Sequence, residues 1–303
     1  MTPPNPSLFS EQVYESFVPG RYIGFPLVKY FADRFTYLPE SGWEKMIREG
    51  RITVNGAATS PGYLLGEKDR TETRMPARQE PPANRNLEVV YQDSALRVFN
   101  KAAPIPVHPS GRYFKNSMTE LLKETYPGEV PRPVQRLDAT TTGVIVFART
   151  REAAAALMHE FKQNRVEKEY LALVEGQPRE RRFVVDRAIG KVLGSRRGSG
   201  EKVLNPKPAV TEVELLATLA GRSLLKVKPH TGRTNQIRVH LSDLGLPVIN
   251  DTVYGWPTGE SQEFGLHASR LRFTLGALEL DLTCPSPGHF APFLEAACRE
   301  GTV

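Results

Sequence analysis

Hydrophobic positions change period along the chain in a readable order. Trp43, Met46 and Ile47 recur at i, i+3 and i+4, the spacing of one helix face. GRITVNG (50–56) then alternates and ends on Asn55-Gly56, a pair that closes a strand with a tight turn. Together these predict a small helix-then-hairpin module over 1–69. Residues 70–86, RTETRMPARQEPPANRN, are charged, proline-rich and nearly free of large apolar side chains, which predicts a linker to a main domain over 87–303. There, LEVVYQDSALRVFNK reads as two strands around Gln92-Asp93-Ser94, and GVIVFA (143–148) as a buried strand. Over 150–164, Ala154, Leu157, Met158 and Phe161 mark a helix stripe, with Thr150 as N-cap. KEYLALVEG alternates again, placing Tyr170, Ala172 and Val174 on one strand face. Finally LLKVKP (224–229) is a strand, and Ile237, Leu241 and Leu244 predict a helix capped by Thr234.

Composition narrows the class. At 303 residues and 40% hydrophobic, the chain has ample material for a core. Its net charge of +6 suits a polyanionic partner without demanding one. Much of that charge sits in 177–207, where nine Lys or Arg face three acids; with Gly194, Gly198 and Gly200 interspersed, this reads as a mobile basic loop able to follow phosphates through Arg196 and Arg197. Two cysteines, Cys284 and Cys298, lack metal-ligand spacing and are too few for a disulfide scaffold. The opening MTPPNPSLFSEQVYE carries no basic start before an apolar run, and no stretch approaches ~18 uninterrupted apolar residues. The expectation is a cytoplasmic protein with no membrane span.

Candidate chemistry gathers at two places. In QRLDATTTGVIVFA (135–148), Asp138 sits just before the buried strand, where an acid serves either as a turn former or as a reactive group. In HTGRTNQIRVHLSDLG (230–245), a strand runs through a tight turn into a helix, and Arg233 and Arg238 add positive charge at a helix start that itself attracts anions. The six histidines are scattered without HExxH spacing, which gives no metal site, and no GxSxG elbow marks a serine hydrolase.

These two motifs, with EKEYLALVEG between them and LHASRLRF after, resemble the RluA-type family of RNA pseudouridine synthases over roughly Leu87 to Phe293. WEKMIREGRITVNG similarly resembles the αL RNA-binding module. The resemblance implies an α+β pseudouridine synthase fold: a mixed, largely antiparallel central sheet flanked by helices around an RNA-binding cleft, with a small N-terminal α/β module. It implies that specific uridines of ribosomal or transfer RNA are isomerised, a rearrangement without redox change or energy input that calls for no cofactor or metal; a monomer is the default expectation. Asp138 falls at the catalytic aspartate of the family's HRLDxxTSG pattern, Tyr170 at the active-site tyrosine, and Arg238 at the basic residue of GRTHQIR. Arg136 and Arg233 become RNA contacts beside them. The chain departs from the family at Gln135 and Asn235, where His is usual, at Thr142 for Ser, and at Asn250 and Ala102-Ala103. The alternative of another class is an RNA-binding or RNA-chaperone protein on the same fold with weak or lost catalysis. A carboxylate glycosidase would need a second acid at a defined distance.

Overall fold

Alternating side chains build two units, one of residues up to Pro82 and one from Ala83 onward, the segment Gly111–Tyr113 aside. The computed structural model describes residues 12–35, 37–76, 80–193, 196–200, 203–256 and 263–302.

In the first unit, the helices Leu27–Arg34 and Glu40–Arg48 accompany a four-stranded antiparallel sheet in the order Gln12–Phe17, Arg70–Met75, Ile52–Val54, Ala57–Ala58. Trp43, Met46 and Ile47 are buried together, as their spacing requires, against Tyr30, Phe31, Ile52 and Val54. Asn55 and Gly56 both take positive φ, +52° and +80°, the geometry of a two-residue hairpin turn whose twist matches its strands. The linker expected at 70–86 needs correction in its first half. Arg70–Met75 is a central strand of this sheet, with Thr71, Thr73 and Met75 pointing inward. Threonine at the inward positions hid the alternation. Residues 77–79 lie outside the described residues.

The second unit is organised on a ten-stranded sheet. Eight strands run in the order Arg182–Asp186, Val210–Leu219, Arg222–Pro229, Glu167–Glu175, Leu266–Leu275, Thr142–Ala148, Leu96–Lys101, Leu87–Gln92; Leu278–Thr283 and Arg132–Pro133 pair off this path. Every pairing is antiparallel except that of Thr142–Ala148 with Leu266–Leu275. That junction depends on Gly143, whose φ is +110° and where a Cβ would lie 2.1 Å from the Ala268 carbonyl oxygen.

Helices cover both faces of this mixed sheet. Tyr170, Ala172 and Val174 share one face of their strand with Ile237 and Leu241 of the helix Gln236–Asp243. Leu171 and Leu173 point the other way, toward Ala296 and Ala297 of the helix Ala291–Arg299. The helix Arg151–Lys162 is capped by Thr150, whose hydroxyl accepts from the Ala153 N–H at 3.1 Å. Its buried stripe is Ala153, Ala154 and Leu157 with Phe161 packed beside them, whereas Met158, placed on the stripe from sequence, is 48% exposed.

The basic segment 177–207 is strand rather than mobile loop over most of its described length. Arg182–Asp186 joins the main sheet, and Arg196–Ser199, Ile189–Leu193 and Leu204–Lys207 form a separate three-stranded sheet in that order. Val185 and Ile189 are buried. Glycine here marks close packing as well as freedom: a Cβ on Gly190 would lie 2.6 Å from the Leu204 carbonyl oxygen. Positions 194, 195, 201 and 202 of the expected loop lie outside the described residues.

Candidate active site

Asp138 stands in the turn that enters Thr142–Ala148, and the turn is held from beneath by a lysine. Lys101 ends the strand Leu96–Lys101 on the same inward face as Phe99 and is almost wholly buried. Its ammonium donates to the carbonyls of Ala102 at 3.0 Å, Ala139 at 3.1 Å and Thr141 at 2.7 Å, so two of its three N–H groups bind the segment carrying Asp138. Burial lowers its pKa to about 7, against the opposing pull of the Asp138 charge. The side of the turn is pinned by the Ile105 N–H to the Ala139 carbonyl at 2.9 Å.

Arg238 reaches Asp138 from the helix Gln236–Asp243, with Nη1 2.6 Å from Oδ2. The other edge of the guanidinium is gripped by Asp251, Nε to Oδ2 at 2.7 Å and Nη2 to Oδ1 at 2.8 Å. Asp251 is fully buried and accepts further bonds at Oδ1 from the Val253 and Tyr254 N–H groups, both at 3.0 Å. Burial alone would raise the Asp251 pKa; the hydrogen bonds and charge of Arg238 lower it. In the same way burial opposes the Arg238 charge, and Asp251 followed by Asp138 outweighs it, raising the guanidinium above its ordinary value. Arg238 is thus a rigid strut between a fixed, buried acid and an accessible one.

A second brace comes from Asn235. It precedes the helix in a left-handed conformation, φ +58°, and so supplants Thr234 as the N-cap residue expected from sequence. Asparagine tolerates that backbone better than most residues. With its amide nitrogen toward the acid, Asn235 donates to Asp138 Oδ2 at 2.9 Å and accepts from the Tyr254 hydroxyl at 2.9 Å. Gln135, the other departure from the family pattern, turns to the strand backbone, bridging the Val144 carbonyl and the Val146 N–H at 3.4 Å each.

Asp138, Arg238, Asn235 and Gln135 line a cavity of about 480 Å³, within the range of small-molecule sites. Asp138, Tyr170, Arg238, Arg136 and Arg233 all face it, and Asp138 is the one acid among its lining residues. Tyr170 projects from Glu167–Glu175, and burial, then the Asp138 charge, raises its pKa, which keeps the ring a neutral phenol. Arg136 is exposed at the rim. Arg196 and Arg197 do not line the cavity; the Arg196 guanidinium lies 5.9 Å from the Tyr254 ring centre, and the Arg197 N–H donates to the Tyr254 hydroxyl at 3.0 Å.

Sequence reasoning missed Lys101, Asp251 and Tyr254. A lysine in phase with the apolar face of a strand was a usable signal for the first. Asp251 and Tyr254 lie in LPVINDTVYG, where nothing in the local pattern announces an acid that must be buried. Two histidines near the site are structural: His240 bonds Thr211 Oγ1 and the Arg187 carbonyl, both at 2.9 Å, and His267 bonds Thr142 Oγ1 at 2.9 Å. Among the described residues no group of three or more His, Cys, Asp or Glu is arranged to hold a metal ion.

The profile of the family described as RNA pseudouridylate synthase matches residues 95–243, a span containing Asp138, Tyr170 and Arg238. Ribosomal large subunit pseudouridine synthase D of Vibrio parahaemolyticus is 31% identical over 307 residues, covering 92% of each chain. The chain belongs to the RluA-type RNA pseudouridine synthases. Among other family members, the mitochondrial tRNA pseudouridine(32) synthase of Saccharomyces cerevisiae is 30% identical over 246 residues, covering 80% of this chain and 53% of that one. Among solved structures, human RNA pseudouridylate synthase domain containing 1 matches with a TM-score of 0.61 at 32% identity, over 72% of this chain and 90% of the human one. The chain spans 44 to 62% of the length of several eukaryotic relatives. The family's sheet is therefore the sheet described above, and the cavity lies where its strands and the Gln236–Asp243 helix converge.

Proposed function

We propose that the chain is an RNA pseudouridine synthase that isomerises specific uridines of ribosomal or transfer RNA, with Asp138 as the catalytic carboxylate. The observation carrying this reading is the single lining acid of the cavity, Asp138, held by an Arg238 that Asp251 immobilises and facing the phenol of Tyr170. One acid without a second opposite it suits chemistry at one anomeric carbon and argues against the paired acids of a glycosidase.

The reaction breaks the bond from ribose C1′ to uracil N1, turns the base and joins C1′ to C5; the C5 proton leaves and N1 gains one. Atoms and electrons balance within the nucleotide, so the proposal needs no cofactor. Asp138 serves either by adding to the anomeric carbon or by helping to remove a ribose proton ahead of a glycal-like intermediate, and the strut holds its oxygens for either route. Tyr170 offers a flat ring for stacking on the extruded uracil and a protonated hydroxyl that can relay a proton as the base rejoins. Extruding the nucleotide costs a few kcal/mol, offset by phosphate contacts for which Arg136 and Arg233 stand at the cavity and Arg196 and Arg197 beyond Tyr254.

Both substrate classes carry support from relatives, since the yeast protein's name specifies transfer RNA and the Vibrio protein's the large ribosomal subunit. The first unit is proposed as a second RNA contact, and the chain as a cytoplasmic monomer. No helix among the described residues is long and apolar enough to cross a membrane. The test is chromatography of nucleosides digested from unmodified transfer and ribosomal RNA after incubation with the protein. Pseudouridine should appear as uridine falls by the same amount; RNA that is bound yet yields none would favour the binding-protein alternative.

A further inference from the structure

Lys168 precedes Tyr170 by two residues on the strand Glu167–Glu175, so both side chains leave the strand on one face, and both line the cavity that holds Asp138. Two strand residues span about 7 Å, comparable to the reach from a nucleotide's base across its ribose to a phosphate. Arg233 lies in the same wall. The partners of these two cations are neutral: Lys168 Nζ donates to the Thr231 carbonyl at 3.2 Å and Arg233 Nε to the Pro208 carbonyl at 2.9 Å. Neither has a carboxylate partner among the described residues.

Of the other basic lining residues, Arg136 and Lys162 are exposed, and two are held by carboxylates. Arg238 is held by Asp138 and Asp251, and Arg270 by Asp281 and, at 3.3 Å, by Glu169. Thr231, whose carbonyl receives the Lys168 ammonium at 3.2 Å, stands two residues before Arg233 in one turn, and burial, then the Arg233 charge, lowers the Lys168 pKa to about 8. Two like charges held together without a counterion destabilise the empty site unless an anion completes it. The surrounding structure enforces their proximity: Gln236 accepts from the Arg233 N–H at 2.9 Å and from Thr231 Oγ1 at 2.8 Å while donating to the Val210 carbonyl at 2.9 Å. The turn bearing Arg233 and the carbonyl that steers Lys168 are therefore anchored by one buried amide.

We propose that Lys168 and Arg233 form a phosphate subsite of the cavity, binding a backbone phosphodiester of the RNA beside the nucleotide whose base stacks on Tyr170. This rests on the function proposed above and assigns to Lys168 an RNA contact that its motif position did not reveal. The subsite binds charge rather than sequence, so it fixes the depth to which any nucleotide enters while leaving the choice of uridine to other contacts. Phosphate would supply the missing counterion to both cations at once.

The test is the salt dependence of binding to unmodified total transfer and ribosomal RNA, measured for the wild type, Lys168→Met, Lys168→Arg and Arg233→Gln. Loss of one phosphate contact should reduce the slope of log affinity against log salt by about 0.7 for single-stranded RNA, a readout that a purely structural role would not move. Lys168→Met and Arg233→Gln should each show that reduction with about tenfold weaker binding at low salt, and Lys168→Arg should restore the slope. Wild-type slopes in both neutralised variants would overturn the subsite while leaving the isomerase reading intact. If Lys168→Met fails to fold, Arg233→Gln alone decides by the same criterion. No RNA binding by the wild type would remove the subsite and the proposed function together.

Discussion

Asp138 is useful to chemistry only if its oxygens stay where Arg238 and Asn235 put them. Arg238 is oriented by Asp251, which never reaches the cavity, so Asp251 is a positioning residue. Asp251→Asn replaces one acceptor oxygen with a donor and breaks the two-point grip. Misplacement of a reacting group by about 1 Å costs on the order of 100-fold in rate, and turnover should fall by about that factor with RNA affinity nearly unchanged. Single-turnover rates beside binding curves check this. Tyr170→Phe keeps the ring and removes the hydroxyl: retained turnover would confine Tyr170 to stacking, and a loss of about 100-fold or more would assign it the proton relay. Asp138, Tyr170 and Arg238, each singled out by an ordered motif, converge on one cavity. Asp251 was not legible in the sequence, because its part is a contact made across 13 residues, from a segment outside the motif that carries Arg238.

At the scale of elements, the period of apolar residues located the helix Arg151–Lys162 and the strand Glu167–Glu175, and misjudged segments where side chains other than large apolar ones face inward. Arg70–Met75 buries threonines, and the basic sheet packs Gly190 against backbone and Gly198 against side chains, so neither carries the usual signature of a strand. The junction at Gly143 gives the sharpest element-level prediction. Gly143→Ala places a methyl inside the Ala268 carbonyl and enforces a positive φ on alanine, and it should destabilise the unit by more than about 3 kcal/mol or prevent folding. Urea unfolding midpoints test it, and Thr150→Ala supplies the scale, since losing that cap should cost about 1 kcal/mol. Lys101→Met would leave the Ala139 and Thr141 carbonyls of the Asp138 turn without their donor, and its turnover should fall more than its stability alone explains.

Across the whole molecule, pH should act through histidines buried as neutral rings. Burial lowers the pKa of His240 and of His267, so below the ordinary histidine value the unfolded chain binds protons that the folded chain does not. Stability contributed by these rings is complete above about pH 6.5 and lost as pH falls through that value toward their folded pKa values. Urea midpoints measured from pH 8 to 5 should decline, and His240→Asn, which keeps a polar group near Thr211, should decline less steeply. The division into two units was anticipated from composition, but its boundary was set too early because charge and proline at 70–86 masked a strand belonging to the first unit. The proposed chemistry turns on one carboxylate in a cavity without a second. Its most direct test is tritium release from RNA labelled at carbon five of uracil, comparing the intact protein with Asp138→Ala. Release by the intact protein and none by the variant is the predicted result; equal release by both, or none by either while RNA is bound, would contradict it.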